Sequence, residues 1–377
     1  MKKINKKLVV CSPQLGISSQ SNSGGEVYDR ETLKYLCDLG VKVIVILPKN
    51  KPCFKHQNLI VYYLPISFVW PPYLFNLLIL PYLFGILKNH KFNILRVHSP
   101  YFVGLGALIF KFFLSSKINL VVHYHHLEDN FLFDLINKLF IKKWDVITAD
   151  SQFTKNEIVE KYELNKEKIK IIYAGVDKKF KPKMKKDFLL KKYNLKNKKV
   201  LLFLGGLKPR KNIGFLLRLM TKIQEENIKL LIVGEGRLKS KLIKIKNKLG
   251  LKNKVIFTGF IKEEEKIDYY NLADIFLFPS QKEGFGMPII EAGSCGIPAI
   301  ASDVSSLKEL IINGKTGYLA KFNDISDWRE KIKRLLKDKN LRAKMGQSAR
   351  GYSQQFSWAI SARKQIEIYK KIKTNFN

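Results

Sequence analysis

Apolar residues fall along this chain in short runs set between stretches of helical spacing. The runs near 8–11, 41–47, 94–98, 120–123, 145–149 and 169–173, then 200–204, 230–233, 255–257, 275–279 and 297–301, are too short for helices. They also lack the strict polar alternation of a strand with one wet face, so they predict strands buried on both sides, as in a parallel sheet. Between the first two runs, Leu33, Leu36 and Leu39 recur every third residue from Val27 onward and stop at Gly40, which predicts an amphipathic helix and a βαβ unit. Further helical patterns run from Ser151 to Tyr162, through Trp328, Ile332 and Leu335, and from Phe356 to Ile372. Strands alternating with helices through both halves predict an α/β fold of two Rossmann-like domains. A length of 377 residues is enough for two cores of ordinary size. The expected boundaries are a first domain at 1–180, a lysine-rich hinge at 181–199 and a second domain at 200–355, followed by the terminal helix 356–377.

The stretch from Phe278 to Ala301 holds the clearest chemistry. An apolar strand exits into Glu283-Gly284-Phe285-Gly286, and Met287-Pro288 opens a helix that carries Glu291 and stops near Gly296. Proline suits a first helical turn and glycine suits both the approach and the left-handed cap. The free N–H groups of that first turn lie between the two glutamates and attract phosphate. Two carboxylates beside a phosphate site are best matched to the hydroxyls of a sugar, from which a carboxylate accepts hydrogen bonds.

This stretch, EGFGMPIIEA followed by GIPAIAS and KELIINGKTGYL, resembles the E-x7-E motif of retaining GT-B glycosyltransferases of family GT4. The resemblance covers nearly the whole chain and is densest from Val200 to Leu319. It implies two Rossmann-like domains facing a central cleft, with the terminal helix packing back on the first, acceptor-binding domain. Further roles follow from it. Glu283 would bind the donor sugar with the backbone of Phe285, Gly286 and Met287, and Glu291 the ribose. Lys211, in GGLKPRKNIGFLL, would neutralise the donor diphosphate. Gly206 stands where the family often has Arg, and Arg210 is expected to supply that charge. Gly259 and Phe260 would hold the base, and Gly24 and Gly25 would meet phosphate and acceptor. His125 matches the family histidine that reaches the donor sugar, with His126 one residue away as the other candidate. Ala174 departs from the family's usual Asn.

Three other features enter here. The segment His123-Tyr124-His125-His126-Leu127-Glu128-Asp129 offers metal ligands, but no spacing singles out a set of three, and no metal is expected. No Asp-x-Asp motif occurs, so the expected cofactor set is empty and the cations would do a divalent metal's work. Gly234-Glu235-Gly236 imitates a dinucleotide fingerprint, but Lys239 replaces its third glycine, so a tight turn is expected in place of an NAD site.

Composition adds a possible surface. Lys and Arg number 68 against 32 Asp and Glu, a net charge of +36, which favours anionic partners. Residues 66–87 carry no charge and are rich in aromatics, yet Pro71, Pro72 and Pro81 break them. They fit a buried helical layer or a patch dipping into an anionic membrane surface beside Lys49, Lys51, Lys55, Lys88, Lys91, Lys111 and Lys117. The four cysteines form no C-x-x-C pair and the N-terminus does not resemble a signal peptide, so a reduced, cytoplasmic protein is expected, with a peripheral place on the inner face of the plasma membrane as the variant that the membrane patch would add. The reading is transfer of a hexosyl unit from a UDP- or GDP-hexose to a glycan or lipid-linked acceptor, without nucleic acid. The alternatives are another GT-B nucleotide-sugar enzyme, such as an epimerase, and a basic membrane-binding scaffold.

Overall fold

The computed structural model describes residues 8–18, 24–67, 69, 74–114, 118–127 and 130–374. Pro71, Pro72, Lys117, Glu128, Asp129 and the last residues of the expected terminal helix lie outside them. The chain divides into two compact units: residues 1–175 with 358–377, and residues 176–357.

In the first unit, β1 (Val9–Pro13), β2 (Lys42–Pro48), β3 (Leu59–Leu64), β4 (Ile94–Val97), β5 (Asn119–Tyr124), β6 (Val146–Ala149) and β7 (Ile169–Ile171) form one sheet in the order β3-β2-β1-β4-β5-β6-β7. Every pairing is parallel. Successive side chains point to opposite faces of a strand, which sorts the apolar residues of β2 into two cores. Ile44 and Ile46 pack with Phe75, Ile79, Leu83 and Phe110 on one face. Val43, Val45 and Leu47 pack with Leu33, Leu36, Ile366 and Tyr369 on the other. That second core joins the helix Gly24–Asp38 to the terminal helix Trp358–Thr374.

In the second unit, β8 (Lys199–Leu204), β9 (Ile228–Val233), β10 (Val255–Gly259), β11 (Ile275–Phe278), β12 (Ala299–Ser302) and β13 (Gly317–Ala320) form a parallel sheet in the order β10-β9-β8-β11-β12-β13. Residues 181–199, read from the sequence as a hinge, lie in this unit. They include the helix Asp187–Lys192, and Leu189 and Leu195 are buried. The Asn271 side chain accepts from Lys183 N at 2.7 Å and donates to Lys181 O at 3.1 Å, which ties the segment down.

The described part of the uncharged segment forms helices that are only partly buried. The helices Phe75–Leu78 and Leu80–His90 bury Phe75, Ile79, Leu83 and Ile86, and leave Leu74, Leu77 and Phe84 exposed. Among the described residues no helix is long and apolar enough to cross a membrane.

Candidate functional site

Strand order reverses direction between β8 and β11, and ligands of open α/β sheets bind where the loops diverge at such a point. After β8 the chain makes a single turn, Pro209–Lys211, before the helix Ile213–Thr221. After β11 it runs through Glu283 to the helix Met287–Ser294. The two exits are joined by side chains. Glu283 lies between Lys211 Nζ, 2.6 Å from Oε1, and Arg210 Nη1, 2.6 Å from Oε2. Lys211 Nζ also sits 4.4 Å from the centroid of the Phe278 ring. Burial pulls the Lys211 ammonium down, with Glu283 opposing; burial would raise Glu283, but the two cations hold it below the usual carboxylate range. The loop is fixed from behind: Glu283 N donates to Ser305 Oγ, and Ser306 Oγ donates to the carbonyls of Glu283 and Phe285.

Gly286 caps the helix at φ 111°, a conformation open mainly to glycine, and a Cβ there would come within 2.9 Å of Leu307 Cδ2. Met287 follows as the first helical residue, while the Phe285 ring is buried against Phe356 with centroids 5.7 Å apart. Phe285 therefore offers backbone here and keeps its ring in the core. Glu291 is held separately. Tyr270 donates to its Oε2 at 2.6 Å and Lys266 Nζ stands 3.9 Å from Oε1. Burial raises its carboxyl and Lys266 opposes the rise.

The loops after β8, β9 and β10 are stitched together by backbone. Gly205 N donates to Val233 O and Gly234 N to Gly259 O. A Cβ on Gly234 would fall 2.1 Å from Gly205 O, so the glycine serves close approach between turns. Lys239 pairs with Glu235 at 2.5 Å, where a dinucleotide fingerprint would place its third glycine. Gly259 ends β10 beside the Glu235 carboxyl, and Phe260 presents an exposed ring.

A second cluster stands at the corresponding reversal of the first sheet, between β1 and β4. Arg96, on β4, is fully buried and its Nη2 lies 2.5 Å from Asp29 Oδ1, on the helix that follows β1. His125, at the end of β5, has Nδ1 3.5 Å from Asp150 Oδ2 and Nε2 3.9 Å from Asp29 Oδ2. Burial alone would lower His125, but hydrogen bonding and charge from Asp150 and Asp29 raise it to about 9. Asp29 sits well below its usual range: burial opposes this and Arg96 outweighs it. Gly25 lies against the ring, since a Cβ there would be 3.5 Å from His125 Nε2. Gly24 and Gly25 are already helical, three residues earlier than the pattern predicts.

His123 is stacked on Tyr28, and its Nδ1 meets Thr148 Oγ1 at 2.9 Å. Thr148 donates to Val122 O, so Nδ1 carries the proton and Nε2 is a buried nitrogen without a hydrogen-bond partner. His123, His125 and Asp150 place three possible ligand atoms within 4.8 Å of one another. In the metal-free chain Asp29 and Asp150 favour the protonated form of His125, so a metal at this group would have to displace that proton.

The structure thus gathers Lys211, Arg210 and Glu283 with Gly286 and Met287, sets Gly25 on His125, and keeps Glu291 in a network of its own. It adds partners that the sequence reading did not name: Asp29, Arg96 and Asp150 around His125, Tyr270 and Lys266 around Glu291, and Ser305 and Ser306 behind Glu283. One signal was there to use, an arginine inside the apolar strand ILRV, because a buried charge requires a partner.

Residues 22–180 match the family model Glycosyltransferase Family 4, and residues 185–352 match Glycosyl transferases group 1. The chain is 29% identical over 291 residues to N-acetyl-alpha-D-glucosaminyl L-malate synthase of Bacillus anthracis, covering 75% of each. Its fold is similar to that of sucrose-phosphate synthase from Thermosynechococcus elongatus, with a TM-score of 0.84 at 19% identity, covering 98% of this chain and 100% of that one. It is also similar to Anabaena HepE, solved in complex with UDP and glucose, with a TM-score of 0.80 at 19% identity over 97% and 100% of the two chains. With two sheets of Rossmann type and the two family models side by side along it, the chain belongs to the group 1, family 4 glycosyltransferases, GT-B enzymes that transfer a sugar from a nucleotide sugar.

Proposed function

We propose that the protein is a retaining hexosyltransferase that takes its donor as a nucleoside diphosphate sugar and needs no divalent metal. The observation that carries this reading is the Glu283 carboxylate held 2.6 Å from each of two cations, Lys211 and Arg210, at the mouth of a glycine-capped helix. A diphosphate entering there exchanges one anion for another. The cations and the helix N-terminus then stabilise the charge that grows on the leaving group as the bond from the anomeric carbon to phosphate breaks. Glu283, released from part of its pairing, accepts hydrogen bonds from sugar hydroxyls. Glu291 takes the ribose in the same way, and Gly259 with Phe260 borders the base. His125 orients the donor sugar, and Gly24 and Gly25 border phosphate and acceptor. The acceptor hydroxyl attacks on the face that the diphosphate leaves and gives its proton to the departing phosphate oxygen. A glycosylated acceptor and a nucleoside diphosphate result.

UDP is the first donor base to test, because HepE was solved with UDP and glucose. The acceptor is proposed to be a glycan or lipid-linked molecule, with the enzyme on the cytoplasmic side. The test is thermal stability with UDP, GDP and ADP in EDTA. A ligand at 100 times its dissociation constant adds roughly 2.7 kcal/mol. Stabilisation by one base in EDTA supports the reading; stabilisation that appears only with an added divalent metal overturns its metal-free part. Release of nucleoside diphosphate in proportion to acceptor separates transfer from epimerisation.

A further inference from the structure

The helix Phe131–Phe140, FLFDLINKLF, is apolar on the wrong side. Asn130 caps it, accepting from Leu132 N and Phe133 N, so it is a formed helix and not a loop. Its inner side is well used. Phe133 stacks on Tyr101 with centroids 4.0 Å apart, and the buried Asn137 meets the hydroxyls of Tyr124, Tyr101 and Tyr162. Its outer side carries Phe131, Leu132, Leu135 and Leu139, which fall within one arc of about 100° at the helical repeat. Their exposures are 84, 51, 42 and 59%. Soluble helices turn such a stripe inward.

Lysines edge the stripe at its C-terminal end. Lys138, Lys142 and Lys161 line an open pocket of ≈ 180 Å³ with Ile141, Tyr162 and Glu163. Lys143 is exposed on the next residue, and Lys168 Nζ donates to Lys142 O at 2.7 Å. The acids facing them are Asp134, paired with Lys138 at 3.3 Å and Lys161 at 2.9 Å, Glu163, and Asp145, whose charge acts on Lys168 and which pairs with Lys111. The positive groups are in excess, on a chain whose net charge is already +36.

We propose that residues 131–143 form a docking surface for an anionic lipid bilayer. The apolar stripe enters the headgroup boundary, and the lysine-lined pocket takes a lipid phosphate. Charge complementarity chooses this occupant. A second copy of the chain would bring another net charge of +36 to this surface, whereas an anionic leaflet satisfies both the stripe and the lysines. The surface differs from the segment 66–87 that composition points to, and it is independent of the sugar-transfer reading because vesicle binding is measured without turnover.

The experiment is co-sedimentation of the full chain with phosphatidylcholine vesicles, with and without phosphatidylglycerol, at low salt. The wild type is expected to pellet with the anionic vesicles. The triple variant Phe131→Ser, Leu135→Ser, Leu139→Ser changes no charge, and its affinity is expected to fall by tenfold or more, since burying one such side chain is worth about a factor of ten. Lys138→Ala and Lys142→Ala are expected to cost roughly fivefold each and to weaken the salt dependence. Unchanged melting temperatures show that the variants fold. Recovery of the wild type in the supernatant overturns the proposal. So does equal binding by the triple variant, which would assign binding to bulk charge or to the separate outcrop at Phe112 and Phe113. Inorganic phosphate binding to the lipid-free protein that Lys138→Ala and Lys142→Ala abolish, with both variants still pelleting as the wild type does, would make the pocket a free-phosphate site and overturn its lipid assignment. A wild-type dimer that the triple variant converts to monomer, without vesicle binding, would give the surface to a second copy.

Discussion

Both units are parallel sheets, and each sets a charged cluster where its strand order reverses, but the two clusters are built in opposite ways. In the second unit one carboxylate, Glu283, lies between two cations, and one of these, Arg210, keeps 42% of its side chain exposed. In the first unit the charges are closed in: Arg96 and Asp29 are 1% and 2% exposed, and His125 is held by Asp29 and Asp150. In the proposed reaction the open cluster trades its internal anion for a phosphate. The closed one has no charge to trade, which suits it to hold a protonated imidazole in a fixed place. The same sheet topology therefore carries a partly open ion cluster in one unit and a buried one in the other.

Breaking the closed cluster should have the largest effect. Arg96→Ala leaves Asp29 ionised in a dry site, and removing one partner of a buried pair costs about 3–5 kcal/mol. A urea titration of the full chain should show the loss. Arg96→Met with Asp29→Leu should recover much of it, because the pair is replaced by packing. If the single and double variants are equally unstable, Arg96 acts through its packing and not through the pair.

The open cluster should respond mainly in turnover. Lys211→Ala is expected to lower the rate of nucleoside diphosphate release by roughly 10²–10³, the range for loss of one preorganised donor to developing charge. Arg210→Ala should cost less in stability, under about 1 kcal/mol, since its pair with Glu283 is half open to solvent. Its effect should fall on donor affinity. Equal loss of turnover in the two variants would show that the exposed cation is no more exchangeable than the buried one, and the contrast between the clusters would fail.

Much of the second unit was legible in the sequence. Runs such as VLLFL and IFLF announce strands buried on both faces, and Glu283, Gly286 and Lys211 sit in turns whose glycines and prolines define local geometry. The first unit was harder to read. Its edge strand Leu59–Leu64 is half exposed and only Pro65 separates it from the uncharged segment, so the two apolar runs nearly merge in the sequence. The helix Phe131–Phe140 is apolar on two sides and gives no inward face by pattern. The partners of His125 come from residues 29, 96 and 150, brought together only by sheet order. Spacing along the chain carries no trace of that arrangement.

The most gradual expected effect, spread over several pH units, is also the most specific to the closed cluster. His125 is raised in the folded chain from the ordinary 6.5 to about 9. A raised histidine stabilises fully below its unfolded value and loses that contribution as pH climbs through the folded value. Stability should therefore fall between pH 6.5 and 9, by up to about 3 kcal/mol. Glu283 runs the other way: its depressed carboxyl contributes above its unfolded range and loses that contribution only on acidification, well outside this window. His98 and His123 do not blur the window, because burial pushes both below 6.5 and their titration costs stability only as pH falls. Urea midpoints measured from pH 6 to 9.5 should decline for the wild type and stay level for His125→Gln, which keeps a polar side chain without the titrating ring. A parallel decline in both would mean that the proton is not held at His125, and that the closed cluster owes its stability to the Arg96 pair alone.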